Sequence, residues 1–394
     1  MKRTRTFLAL AASASFLFAA CTGGGGATPS PSAPEASDAP TSQAPSSDAP
    51  ASQPPGEAAT VRLQLQWAPQ AQFAGYFAAA AEGYYEAENL QVEILDGGPD
   101  VVPHLVGSAE NGPEFTISWV PKVLEGRAGN PPSDLVNIAQ IFQRSGPRSV
   151  SWKDSNITSP ADFAGKKVGV WDFGNDHEVI AAARKAGLEP NEDYERVIQP
   201  FDMALLLGRQ IDVAEAMIYN EYAQVLEAVN PDTGELYQPE DLNVINYNDE
   251  GTAMLQDALF ARASWLAQEG SEDIAVRFLR ASFRGWIFCR ENADACIQHT
   301  VDQGSTLGAG HQAWMMNEIN PLIWPSPNGI GIMDAGLWQQ TVDVSLEAGI
   351  IPAAPPEDAY RTDLAEAALE GLADLDTTGT SFQKGTVTVT EGGD

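Results

Sequence analysis

The chain has 394 residues, with 54 Asp and Glu against 22 Lys and Arg, giving a formal charge of −32 at pH 7. A surface that acidic repels nucleic acid and anionic lipid headgroups, which sets those partners aside at the outset. Three cysteines and four scattered histidines give no zinc-like ligand spacing, no cofactor motif stands out, and neither a Walker pattern nor a Gly-x-Ser-x-Gly elbow is present.

Residues 1–20 combine a basic head (Lys2, Arg3, Arg5), an apolar run from Phe7 to Phe18 and small residues just before Cys21. That is the pattern of a secretory signal. Residues 21–58 are Gly, Pro, Ser, Ala, Thr and Asp with almost no large apolar side chain. They cannot bury enough surface to offset chain entropy, so a disordered linker is predicted there. The junction Phe18-Ala19-Ala20-Cys21 resembles a bacterial lipoprotein site, with Phe18 where that pattern prefers Leu. The resemblance implies cleavage before Cys21, lipidation of Cys21 and a stable extracytoplasmic membrane anchor by two acyl chains. An ordinary cleaved signal with Cys21 a bystander is the alternative.

The body begins near residue 59. Val61, Leu63 and Leu65 alternate with Arg62, Gln64 and Gln66, the mark of a half-buried strand. The loop Trp67–Gln72 leads into a helix ending near Gly83, and Val92, Ile94, Phe115, Ile117 and Ile138–Phe142 mark further strands. A second unit opens at Ser159, with a strand ending at Trp171, a loop Asp172–Asn175 and a helix to Gly187. Further strands are predicted at Ala214–Ile218, Asn243–Tyr247 and Leu259–Arg262. Helices fill Glu272–Phe288, Ala293–Val301, His311–Ile319 and Asp334–Ala348, and 376–394 loses its pattern and reads as a flexible tail. Alternating strands and helices predict an α/β fold with largely parallel sheets. The simplest layout is two lobes, the first from 59–150 and 250–375 and the second from 151–249, with a ligand cleft between them. Cys289 and Cys296 are too far apart on one unbroken helix to be bridged, about 10.5 Å of rise. Glu291–Asp294 reads as a helix break, which leaves a disulfide and two free thiols both open.

Leu65-Gln66-Trp67-Ala68-Pro69-Gln70-Ala71-Gln72-Phe73-Ala74-Gly75-Tyr76-Phe77, Glu82-Gly83-Tyr84-Tyr85, the Lys166–Trp171 strand and Ala216–Tyr222 resemble the thiamine-pyrimidine-type solute-binding proteins of ABC importers. Within that family the chain is most similar to the riboflavin-binding lipoproteins. The resemblance, over about 60–350, implies a two-lobed periplasmic-binding-protein fold of type II. It also implies a small-molecule vitamin as ligand, and a permease and an ATPase as partners. The family's pyrimidine-synthesising branch relies on a cysteine-rich motif that is missing here, so no enzyme activity is expected.

Candidate ligand contacts lie on the strand-to-helix loops. Trp67 and Phe73 flank the first loop and offer flat faces to a heterocycle; plugging the lobe core is the alternative. Gln70 and Gln72 carry both donors and acceptors, as the mixed edge of a pyrimidine or fused ring requires. Trp119 follows the third strand, and Arg144 after the fourth is a donor to a ring carbonyl or one half of a salt bridge. Trp171, Phe173 and Asn175 form the equivalent loop of the second lobe. Asn220, Glu221 and Tyr222 open another helix, where Asn220 also suits a cap and Glu221 the helix dipole. Asp249 lies at the return crossing, as a polyol ligand or a hinge residue. Asp172, Asp176 and Glu178 crowd one helix start and repel phosphate or sulfonate. This predicts riboflavin first, a thiamine-precursor aminopyrimidine second, and disfavours flavin mononucleotide and alkanesulfonates. A sensory or adhesive lipoprotein and a pyrimidine-synthesis-related enzyme are the lower alternatives.

Overall fold

The computed structural model describes residues 56–394. The expected signal at 1–20, Cys21 and nearly all of the 21–58 linker lie outside the described residues. Strand β1 (Ala59–Gln64) pairs in parallel with β2 (Leu90–Leu95) and β3 (Phe115–Ser118). After β4 (Leu135–Gln140) the chain crosses to a second sheet and builds β5 (Pro147–Trp152), β6 (Lys167–Val170), β7 (Glu195–Ile198), β8 (Val213–Met217) and β9 (Leu242–Asn246). It then returns as β10 (Ala258–Arg262). The strand orders are β2-β1-β3-β10-β4 and β7-β6-β8-β5-β9.

As expected, each sheet is largely parallel, with four strands running one way, but each also admits one antiparallel strand. β10 runs antiparallel to β3 and β4, and β5 antiparallel to β8 and β9. Each of these is the first strand after a crossing. It arrives from the other lobe, free of the helical crossover that forces neighbouring strands to run parallel. The first crossing falls between Gln140 and Pro147, so residues 147–150 stand in the second lobe, a few residues earlier than the sequence layout placed the boundary. β5 escapes sequence reading because Ser149 and Ser151 are its inward polar residues, bonded to the Tyr247 hydroxyl at 2.5 Å and the Ile157 carbonyl at 3.1 Å. β7 is a short, partly exposed edge.

The two crossings are tied together by one carboxylate. Glu178, in the first turn of helix His177–Lys185, accepts from Ser145 Oγ at 2.6 Å on the outgoing crossing and from Met254 N at 2.9 Å on the return. Gln256 Oε1 accepts from Gly146 N at 3.0 Å beside it. Burial pushes the Glu178 carboxyl up to about 7.

The first lobe is completed by helices. Helix Ser271–Glu291 crosses helix Ala74–Ala81 at a glycine pair: a Cβ on Gly75 would enter the Trp286 ring, and one on Gly285 would strike the Gly75 carbonyl. The long helix stops at Asn292, a second helix starts at Ala293, and across that break Cys289 and Cys296 form a disulfide, with Cα atoms 5.5 Å apart. The tail is not loose. Thr377 and Thr378 carbonyls accept from Ile330 and Ser326 at 2.9 and 2.8 Å, Lys384 pairs with Glu318, and Gly392 N donates to the Glu227 carbonyl at 3.1 Å. Backbone bonds and an ion pair hold this segment without an apolar periodicity, which is why its sequence reads as patternless.

Candidate functional site

The parallel strands of both sheets point their carboxyl ends at one cleft, the edge where open α/β sheets bind ligands. A cavity of about 390 Å3 lies there. Its first-lobe wall is Gln66, Trp67, Gln70 and Gln72 after β1 and Trp119 after β3. Its second-lobe wall is Trp171 and Asn175 after β6, Phe201 after β7, and Met217, Tyr219, Asn220 and Glu221 from the end of β8.

Aromatic rings dominate the wall. Trp171 lies over Phe201 with ring centroids 6.0 Å apart and planes 18° from parallel, and Trp67 reaches across from the first lobe to Phe201 at 4.4 Å. The Trp171 indole is fixed by its Nε1–H donating to the Pro200 carbonyl at 3.3 Å. Lys122 crosses the lobes, donating to Asn175 Oδ1 at 2.6 Å while its ammonium stands 4.3 Å from the Trp119 ring centroid. Burial pushes that ammonium down to about 8.

The polar groups are locked from behind. Gln70 Nε2 donates to Gln72 Oε1 at 2.7 Å, and Gln72 Nε2 donates to Asp257 Oδ2 at 2.6 Å. Asp257 immediately precedes β10; because β10 is antiparallel, its amino end sits at the same edge as the carboxyl ends of the parallel strands. On the opposite wall Glu221 accepts from Met217 N and Asn220 Nδ2, both at 3.0 Å, and Glu215 accepts from Trp171 N at 3.0 Å. Burial raises Asp257 and Glu221 to about 7 and lifts Glu215 well above the ordinary carboxylate range. Asn220 is held in turn by His311, whose Nε2 lies 3.0 Å from Asn220 Oδ1 and whose Nδ1 lies 2.8 Å from Glu227. Among the described residues the cavity wall carries one carboxylate and no cationic side chain.

Trp67, Gln70, Gln72, Trp119, Trp171, Asn175, Asn220 and Glu221 are therefore brought together, as their loop positions predict. Five candidates are not. Phe73 is wholly buried in the first-lobe core, edge-on to Phe77. Arg144 caps the end of helix Ala309–Ile323 by donating to the Pro321 and Pro325 carbonyls at 3.2 and 3.1 Å. Tyr222 faces the second-lobe core beside Trp314, because it lies on the inner face of its helix. Asp249 is turned to Asn246 Nδ2 at 2.9 Å in the return crossing. Phe173 stands outside this cavity, 67% exposed at a positive φ of 61°, and lines the hollow next to it. The crowded acids also resolve differently from the expectation: Asp172 and Asp176 are both paired with Arg196, and Glu178 is consumed by the crossings. That helix start therefore presents no unpaired acid cluster to an anion.

Sequence reasoning missed Gln66, Met217, Tyr219, Phe201, Lys122 and Asp257. Gln66 reads as the solvent side of an alternating strand. Met217 and Tyr219 sit in a stretch whose polar end drew attention instead. Phe201 follows a strand that itself went unread, and Asp257 depends on an antiparallel strand that no local pattern announces. Among the described residues no helix is long and apolar enough to cross a membrane, and no group of His, Cys, Asp and Glu is placed to hold a metal ion.

Comparison with known proteins adds an independent line. The family described as NMT1/THI5 like matches residues 70–296, more than half of the chain. The riboflavin-binding protein RibY of Chloroflexus aurantiacus is 26% identical over 304 residues, 74% of this chain and 82% of that one. A formylaminopyrimidine-binding protein of Halalkalibacterium halodurans is 23% identical over 243 residues, 60% of this chain and 68% of that one. The fold is similar to the periplasmic nitrate-binding protein NrtA from Synechocystis PCC 6803, with a TM-score of 0.56 at 16% identity over 85% of this chain and 94% of that one.

Proposed function

The chain belongs to the NMT1/THI5-like family, and from that premise we propose that it is an extracytoplasmic solute-binding protein of an ABC importer that captures riboflavin and presents it to a permease. The observation that carries this reading is the cavity itself: five aromatic rings, amides fixed by hydrogen bonds, one carboxylate and no cation on the wall. Flat faces suit a fused heteroaromatic ring, and fixed amides suit its alternating carbonyl and N–H edge. The wall itself carries no cation, and the one ammonium beside it, Lys122, already donates to Asn175. A small anion seated among the rings would be left without a direct ion pair, and burying an unpaired charge is expensive. Lobe closure, not chemistry, is the working step, and Cys21 provides the lipid tether that keeps the protein beside its permease and ATPase.

A thiamine-precursor aminopyrimidine is the second reading. Glu221 is placed to accept from an exocyclic amine, and a relative named for binding a formylaminopyrimidine supports that class. Titration of the purified protein with riboflavin, an aminopyrimidine and nitrate, followed by tryptophan and flavin fluorescence, separates the readings. Saturable one-to-one quenching by riboflavin and indifference to nitrate are expected. Saturation by nitrate alone would overturn the proposal.

A further inference from the structure

A second hollow of about 390 Å3 opens off the cleft and shares Gln66, Trp67, Asn175 and Phe201 with it. Its far wall is the loop after β2, including Val101 and Val102. That loop is seated firmly against the first: Gly97 N donates to the Trp67 carbonyl at 3.0 Å, and a Cβ on Gly97 would come within 2.7 Å of the Trp67 backbone. The two hollows differ in chemistry. The first is lined by rings and a carboxylate, whereas the second has no carboxylate and adds to the shared rings an aliphatic loop, Phe173, His104 and the Lys122 ammonium.

Lys122 is only 4% exposed, and its one hydrogen bond to a side chain goes to the neutral Asn175. Among the described residues no carboxylate stands within ion-pair distance of it, which leaves N–H donors available to an occupant of the hollow. At the seam between the hollows Gln66 is 7% exposed, and its Oε1 is buried without a partner. A buried acceptor and a buried cation without full partners are costly unless something satisfies them.

We infer that the site is two-part, with the heteroaromatic ring held in the aromatic cleft and a polyhydroxylated chain of the same ligand lying in the second hollow. Hydroxyl oxygens on that chain accept from Lys122, and a hydroxyl hydrogen donates to Gln66 Oε1. This deepens the flavin reading and rests on it. It also supplies a basis for selection: a single-ring aminopyrimidine leaves the second hollow unfilled, while a tricycle with a polyol side chain occupies both.

The test compares riboflavin with lumichrome, which has the same tricyclic ring and no polyol, by equilibrium titration of the full chain. Riboflavin is expected to bind at least about tenfold more tightly to the wild type, the scale of a hydrogen bond to a charged group. Lys122→Met should remove about tenfold of that preference, read as the ratio of riboflavin to lumichrome affinity. Val102→Trp, which fills the second hollow, should cost riboflavin at least about tenfold and spare lumichrome. It tests the same point should Lys122→Met fail to fold. Equal affinity of the wild type for both compounds overturns the inference, and so does an equal loss of both in either variant. If neither compound binds, the flavin reading itself falls, an outcome distinct from two compounds that bind equally well.

Discussion

The two walls of the cleft are built on different principles. The first-lobe wall is, apart from Trp119, a run of neighbours, Gln66 to Gln72, whose amides are chained from Gln70 through Gln72 to the buried Asp257. The second-lobe wall is assembled from three separate strand ends, and its Phe201 ring is 41% exposed at the mouth of the cleft. One wall is a fixed floor and the other a cover that carries its aromatic edge on loops. A binding protein that closes around a flat ring needs both: a floor that sets the ligand's orientation and a cover whose contacts exist only once the lobes meet.

The comparison can be broken most forcefully at the two indoles that pack against Phe201, one from each wall. Trp67→Ala should weaken riboflavin binding roughly 30-fold, the scale of a buried aromatic anchor, in equilibrium titration. Trp171→Ala should weaken it by a similar factor but mainly through faster release, since the cover holds the ligand after it has docked. If Trp67→Ala leaves affinity unchanged, the floor is misassigned.

A second effect concerns the carboxylates behind the walls. Asp257, Glu221 and Glu178 are all raised by burial to about 7 from ordinary values near 4. At these three sites the folded state binds more protons than the unfolded state between those values, so the stability they contribute is greatest at about pH 4 and is lost as pH rises toward about 7. His104 and His177, pushed down by burial to about 4 and about 3, contribute in the opposite sense over the part of that range below the ordinary histidine value. Between about pH 4 and about pH 7 the thermal midpoint of Asp257→Asn should gain on that of the wild type as pH rises, because the variant lacks one contribution that is lost over that interval. Parallel profiles for the two proteins would contradict the burial of Asp257.

The Cys289–Cys296 bridge lies in the helical half of the first lobe and contributes to neither wall. Its reduction should lower stability by about 2 kcal/mol, as expected for so short a closed loop, with riboflavin affinity unchanged. Loss of affinity on reduction would mean that the floor depends on that half of the lobe. The smallest effect is expected at Asp249, which hydrogen-bonds within the return crossing: Asp249→Ala should change ligand affinity by less than about twofold, in keeping with its place outside the cavity.

The same contrast between walls explains what was legible in the sequence. The first wall is one contiguous segment after a strand with clean alternation, so Trp67, Gln70 and Gln72 could be placed in a loop at a strand's carboxyl end without any tertiary information. Trp171, Asn175, Asn220 and Glu221 were reachable by the same rule, because each follows a recognisable buried strand. Phe201 was not, since β7 is short and partly exposed and gives no period. Asp257 was not, since its position at the cleft is set by the antiparallel entry of β10. Arg144 and Tyr222 were misplaced for a related reason. Their side chains are claimed by carbonyls at a helix end and by a neighbouring tryptophan, partners distant in sequence. The fold was readable from strand and helix alternation. The direction of the two crossing strands and the docking of 376–394 depended on contacts between segments far apart in the chain.

The most direct test of the central claim is equilibrium dialysis of the full chain against equal concentrations of riboflavin and a thiamine-precursor aminopyrimidine, with the retained compound quantified after release by denaturation. The account predicts one riboflavin retained per chain and little aminopyrimidine. Retention of neither would contradict the assignment of this cleft as a site for a small heteroaromatic solute.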